Sequence, residues 1–70
     1  MNEYTIPCTF IVNTDNLKNV TDELRRADDM GGFKTLNIIY DESRKLYFIN
    51  CLRKHSYPYI ENNINKMCES

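Results

Sequence analysis

Histidine occurs once in this chain, tryptophan is absent, and glycine and proline appear twice each. One imidazole leaves little material for acid–base or metal chemistry near neutral pH. So little glycine and proline excludes collagen-like and linker-like chains. No run approaches the length of apolar sequence that a transmembrane helix needs. Neither charge sign dominates: nine Lys and Arg stand against ten Asp and Glu, for a net charge of −1. A global basic field for nucleic acid or an acidic membrane is therefore missing. Met1-Asn2-Glu3-Tyr4 carries an acid and no basic region, so a signal peptide is not expected. The three cysteines, Cys8, Cys51 and Cys68, are too few and odd in number for a disulfide-stapled small domain. They are expected as reduced thiols in the cytoplasm, with Cys8 and Cys51 buried in strands and Cys68 exposed. Asn19-Val20-Thr21 matches a glycosylation sequon, but it falls inside a predicted helix and is taken as chance.

What the 70 residues do hold is a globular balance of 41% hydrophobic and 27% charged residues, expected to form one small domain over 1–70. Residues 3–13 alternate: Tyr4, Ile6, Cys8, Phe10 and Val12 point one way, and Thr5, Pro7, Thr9, Ile11 and Asn13 the other. That is the period of a half-buried strand, and Pro7 confines it to a sheet edge. Thr14 and Asp15 are both N-cap candidates. Leu17, Val20, Leu24 and Ala27 then recur at helical spacing, and Gly31-Gly32 stops the helix, which is placed at 15–30. Residues 33–40 and 45–52 read as strands joined by Asp41-Glu42-Ser43-Arg44, an antiparallel hairpin. Its register is open: a short loop pairs Tyr40 with Lys45 and a longer one pairs it with Leu46, which exchanges the faces of the second strand. Pro58 suits the first turn of a last helix at 57–68, capped by Ser56 or Tyr57, with Tyr57, Ile60, Ile64 and Met67 on its apolar stripe.

The order β-α-β-β-α implies an α+β fold: a three-stranded mixed sheet, order 1-3-2, with two helices on one face. Leu46–Leu52 is apolar on both faces apart from Asn50, as a central strand should be. The layout resembles the first three strands and two helices of the ferredoxin-like arrangement without its last strand, a likeness of architecture only. The expected core comprises Phe10, Val12, Leu17, Val20, Leu24, Leu36, Ile38, Phe48, Ile60 and Ile64.

No motif carries chemistry. Cys51-x-x-x-His55 is half of a zinc spacing without its other half, so no metal and no cofactor are expected. Asp22, Glu23, Asp28, Asp29, Asp41 and Glu42 read as a solvated face, and no glycine-rich phosphate loop occurs. Catalysis is accordingly not expected. Arg44 and Lys45 at the hairpin tip, Arg53, Lys54 and His55 beyond the third strand, and Tyr47, Tyr57 and Tyr59 nearby form a possible single-stranded nucleic-acid surface. Seven residues at about 3.3 Å each hold the two basic groups about 23 Å apart, so this reading ranks second.

The first reading rests on surplus apolar surface. Two helices cover one sheet face; the other carries Thr9, Ile11, Asn37 and Ile39, with either Tyr47, Ile49 and Cys51 or Leu46 and Phe48. Such a face on so small a domain points to a protein partner or a homodimer. The second strand's open edge offers a further site for strand addition. Candidate contact residues are Ile11, Ile39, Tyr47, Ile49, Arg44 and Lys45. A short frame from Met1, rich in Asn, Ile and Lys as in A/T-rich genomes, fits an accessory protein such as a phage or mobile-element inhibitor or modulator of a larger host machine.

Overall fold

The alternating N-terminal segment forms strand β1 (Ile6–Asn13), with Cys8, Phe10 and Val12 buried and Thr9 and Ile11 exposed. The computed structural model describes residues 3–69; Met1, Asn2 and Ser70 lie outside the described residues. Helix α1 (Thr14–Asp29) follows without a break. Neither Thr14 nor Asp15 caps it. Asn13 does, its side-chain oxygen accepting from the Asn16 N–H at 2.9 Å, so the helix starts one residue earlier than its apolar stripe implied.

The C-terminus of α1 closes as a Schellman motif. The Gly31 N–H donates to the Asp28 carbonyl at 2.8 Å and the Gly32 N–H to that of Ala27 at 2.9 Å. Gly31 takes the left-handed φ of 78° that this motif requires. Gly32 serves differently: a Cβ there would stand 2.7 Å from the Tyr57 ring. The glycine pair thus ends the helix and admits the ring of Tyr57.

Strands β2 (Phe33–Asp41) and β3 (Leu46–Arg53) form the hairpin, and helix α2 (Pro58–Cys68) completes the chain. Pro58 occupies the first turn of α2 and Tyr57 its cap position, without a side-chain cap bond. The architecture is α+β, element order β-α-β-β-α, with sheet order β1-β3-β2. Both neighbouring pairs are antiparallel, so the sheet is antiparallel throughout and not mixed. β1 and β2 do run parallel, as a crossover through α1 demands, but β3 lies between them.

The hairpin register matches neither expected alternative: Tyr40 pairs with Tyr47 and Asp41 with Leu46, leaving a four-residue loop. The Asp41 carboxylate sets it. Asp41 Oδ1 accepts from the Ser43 N–H at 3.0 Å, the Arg44 N–H at 3.2 Å and the Ser43 hydroxyl at 2.7 Å. Lys45 then reverses the chain with a φ of 57°. A bulge at Leu36, between Thr35 and Asn37, shifts the first half of β2 relative to β3.

These registers sort the side chains into cross-strand rows. On the helix-packed face lie Val12, Tyr47 and Tyr40; Phe10, Ile49 and Ile38; Cys8, Cys51 and Thr35; and Ile6, Arg53 and Phe33. Phe10, Phe33, Ile49, Ile64 and Val20 form the fully buried centre, joined by Val12, Leu24, Ala27, Cys8, Cys51 and Ile60. Six of the expected core residues are buried, and Leu17 packs at the margin. Three differ. Leu36 sits in the bulge and is exposed. Ile38 faces the helices, but beneath Thr21, Arg25 and Asp28, a polar side of α1 that leaves an open groove of about 210 Å³. Phe48 lies on the opposite face, displaced there by the register, while Ile49 takes the core position.

Leu24→Ala removes a side chain that is 3% exposed and should cost about 2–5 kcal/mol in chemical denaturation. A loss below about 0.5 kcal/mol contradicts the core as described. Gly32→Ala drives a methyl into the Tyr57 ring and should cost about 1–3 kcal/mol; a neutral urea midpoint would show that the contact yields freely.

Candidate functional site

The face of the sheet away from the helices is built from four cross-strand rows: Asn13, Leu46 and Asp41; Ile11, Phe48 and Ile39; Thr9, Asn50 and Asn37; and Pro7, Leu52 and Lys34. Ile11 is 49% and Ile39 54% exposed, with Phe48 half-buried between them. The adjacent row is polar and internally bonded. The Thr9 hydroxyl donates to Asn50 Oδ1 and Asn50 Nδ2 donates to Asn37 Oδ1, each at 2.8 Å. Asn50, the single polar residue of an otherwise apolar run, thus joins all three strands. The helix-free face thus carries an apolar row bordered by a polar row bonded across all three strands.

β2 extends this surface at its open edge. Every residue from Lys34 to Tyr40 is exposed. Leu36, Ile38, Ile39 and Tyr40 are each about half accessible, on both sides of the strand. α1 sits with Val20, Leu24 and Ala27 in the core, and β3 alone flanks β2 in the sheet. The opposite edge, β1, carries Pro7, which cannot donate to an added strand.

The expected contact residues separate on this geometry. Ile11 and Ile39 lie together on the helix-free face. Tyr47 and Ile49 do not: both point to the helices, Ile49 fully buried and Tyr47 half-buried with its ring 4.7 Å from that of Tyr40. Their removal from the site follows directly from the four-residue hairpin loop. Arg44 and Lys45 are exposed at the hairpin tip, Arg44 Nε lying 3.6 Å from Asp41. Phe48 takes the place given to Tyr47 and Ile49, and Leu36, Ile38 and Tyr40 join as edge residues. The Asp41 side chain was the available signal, since Asp favours the first position of a type I turn.

The basic residues lie at the two ends of β3. Arg53 is drawn into an ion pair with Glu61 at 2.5 Å, tying β3 to the first turn of α2, and donates to the Lys54 carbonyl at 3.0 Å. Lys54 stands over the Tyr4 ring at 5.1 Å. Tyr57 and Tyr59 stack at 6.2 Å. This end of the fold is therefore used largely in fastening α2 and the N-terminal segment.

The thiols are held neutral. Burial, reinforced by the Glu61 carboxylate and by Cys51, and opposed by Arg53, pushes Cys8 from its ordinary 9.0 up to about 12. Burial also raises Cys51, against a weaker opposing effect of the Thr35 hydroxyl 3.9 Å away. Cys68 is half-buried against the core and not exposed as expected, and its thiol is raised by burial and then by Glu69. Thiols held protonated are poor nucleophiles. Among the described residues, no three His, Cys, Asp or Glu side chains converge to hold a metal ion. No helix among them is long and apolar enough to cross a membrane. Comparison with protein-family models, curated proteins and solved structures finds no match to this chain.

Cys8 generates a pH prediction. The unfolded chain ionises this thiol near 9.0 and the folded chain only near 12. The stability it confers is complete below pH 9.0 and is lost as pH rises toward about 12. The stability of the wild type relative to Cys8→Ala should therefore fall across that window in urea titrations. A difference that stays flat with pH contradicts the burial of Cys8.

Proposed function

We propose that this chain is a non-enzymatic protein-binding module whose helix-free sheet face docks on a larger protein, in the manner of an accessory modulator or inhibitor. The observation that supports this most is the row of exposed Ile11 and Ile39 with half-buried Phe48 between them, on a sheet face that neither α1 nor α2 covers. Contiguous apolar side chains in water are unfavourable, and their burial against a partner recovers about 25 cal/mol per Å². The bonded row Thr9, Asn50 and Asn37 next to it supplies polar groups that fix the position of the docked surface. The non-enzymatic reading fits thiols that burial holds protonated and a single histidine exposed beyond β3.

Nucleic-acid binding through Arg44, Lys45, Arg53, Lys54 and His55 has less support. The two groups are separated by the length of β3, and Arg53 already has Glu61 as its counter-ion. Salt distinguishes the readings, because phosphate contacts weaken steeply with ionic strength and apolar contacts do not.

Affinity capture from nuclease-treated lysate should retain one protein partner, with little change between low and high salt. Ile11→Asp, at a position already half exposed, should abolish capture while leaving the helical circular dichroism intact. Capture that persists in Ile11→Asp, or that disappears on nuclease treatment, contradicts docking through this face.

A further inference from the structure

The open β2 edge has a register of its own. We infer that β2 pairs antiparallel with β2 of a second copy of this chain, the two-fold axis passing through Ile39, so that two three-stranded sheets become one of six strands. This deepens the reading of the helix-free face as a protein-binding surface, and rests on that reading for the use made of the joined face.

Four observations carry it. First, β2 has apolar side chains on both of its faces, Ile39 on one and Ile38 and Tyr40 on the other, so a matching strand must also be apolar on both faces. β2 is itself such a strand. Its pairing segment 37–41 holds no proline or glycine and lies clear of the bulge at Leu36 that would bend an incoming strand away.

Second, the existing rows select the axis. In a sheet continued across a perpendicular two-fold axis, directly opposed residues share a face, so the axis must pass through one residue. Through Ile39, the row Ile11, Phe48 and Ile39 meets the same row of the second copy, giving six apolar side chains in line. Ile38 then lies opposite Tyr40 of the second copy, on the lip of the groove beneath α1. Through Ile38, the apolar row would instead run into Asn37, Asn50 and Thr9, apolar against polar.

Third, the polar ends match. The axis at Ile39 sets Asn37 opposite Asp41 of the second copy. Asn37 Oδ1 already accepts from Asn50, which leaves the N–H groups of its amide to donate, and Asp41 Oδ1 is held by its own turn, which leaves Oδ2, 3.6 Å from Arg44, as the acceptor. The contact occurs twice by symmetry. Fourth, a net charge of −1 offers almost no repulsion between copies.

The test uses the full chain. Sedimentation over a concentration series should show a species of twice the 8.3 kDa chain mass. Ile38→Lys, at an exposed position off the helix-free face, should return it to the single-chain mass. Ile11→Asp, on the far strand, should remain at the doubled mass. In a Cys68→Ser background, Ile39→Cys should cross-link to the doubled mass under mild copper-catalysed oxidation, because opposed residues bring their Cβ atoms within about 5.5 Å. Ile38→Cys should cross-link far less. A single-chain mass at the highest soluble concentration overturns the pairing. So do a doubled mass that persists in Ile38→Lys and cross-linking of Ile38→Cys equal to that of Ile39→Cys. None of these outcomes touches capture of a protein partner, which is read by Ile11→Asp alone.

Discussion

The Asp41 carboxylate is the constraint on which the surface of this protein depends. By accepting from the backbone of Ser43 and Arg44 and from the Ser43 hydroxyl, it ends β2 and sets the length of the turn. Lys45 completes the reversal in the left-handed region, a conformation that costs a non-glycine residue about 1 kcal/mol or more. The Ser43 hydroxyl, followed by the backbone of Arg44, also lowers the pKa of Asp41 below the ordinary carboxylate range, so the acceptor stays ionised. Once Asp41 is opposite Leu46, every later residue of β3 has its face assigned. Ile49 and Cys51 enter the core; Phe48 and Asn50 go to the open side.

The rest of the molecule meets the consequences of that assignment. Helix α1 brings Val20, Leu24 and Ala27 down on Phe10 and Ile49, and α2 adds Ile60 and Ile64. The α1 side above β2 is Thr21, Arg25 and Asp28, which cannot bury Ile38. β2 is therefore held by its ladder to β3 and by Phe33 at one end, and is exposed over most of its length. A fold of 70 residues buries a smaller fraction of its surface than a larger domain does, and here Ile11, Leu36, Ile38, Ile39 and Tyr40 concentrate the deficit on β2 and the helix-free face, with Met30 and Tyr59 exposed elsewhere. That concentration underlies the proposed binding role.

Much of this was legible in the sequence, and for stated reasons. The alternation from Tyr4 to Val12, the stripe Leu17, Val20, Leu24 and Ala27, and the glycine pair each obey a single local periodicity or backbone rule, so the elements and the sheet order could be read. Pro7 marked an edge and the apolar run of β3 marked a centre. The hairpin register could not be read from apolarity, because Leu46, Tyr47, Phe48 and Ile49 are equally at home on either face. With the register open, Tyr47 and Ile49 read as contact residues and Phe48 as core, the reverse of the faces that the Asp41 turn enforces. Alternation along an unbroken ladder puts both Leu36 and Ile38 in the core; the bulge removes Leu36, while Ile38 keeps its helix-side face and is left exposed beneath the polar side of α1. Asn13 is both the last strand residue and the cap that starts α1, so strand alternation masks its second role.

The most direct measurement is of side-chain proximity to Phe48. Nuclear Overhauser contacts from the Phe48 ring should run to the methyl groups of Ile11 and Ile39, while Ile49 methyls should contact the Phe10 ring and the methyls of the helix-packed core. Contacts from Phe48 to Val20 or Leu24 would place it beneath the helices, reverse the faces of β3, and contradict the open apolar row on which the account stands.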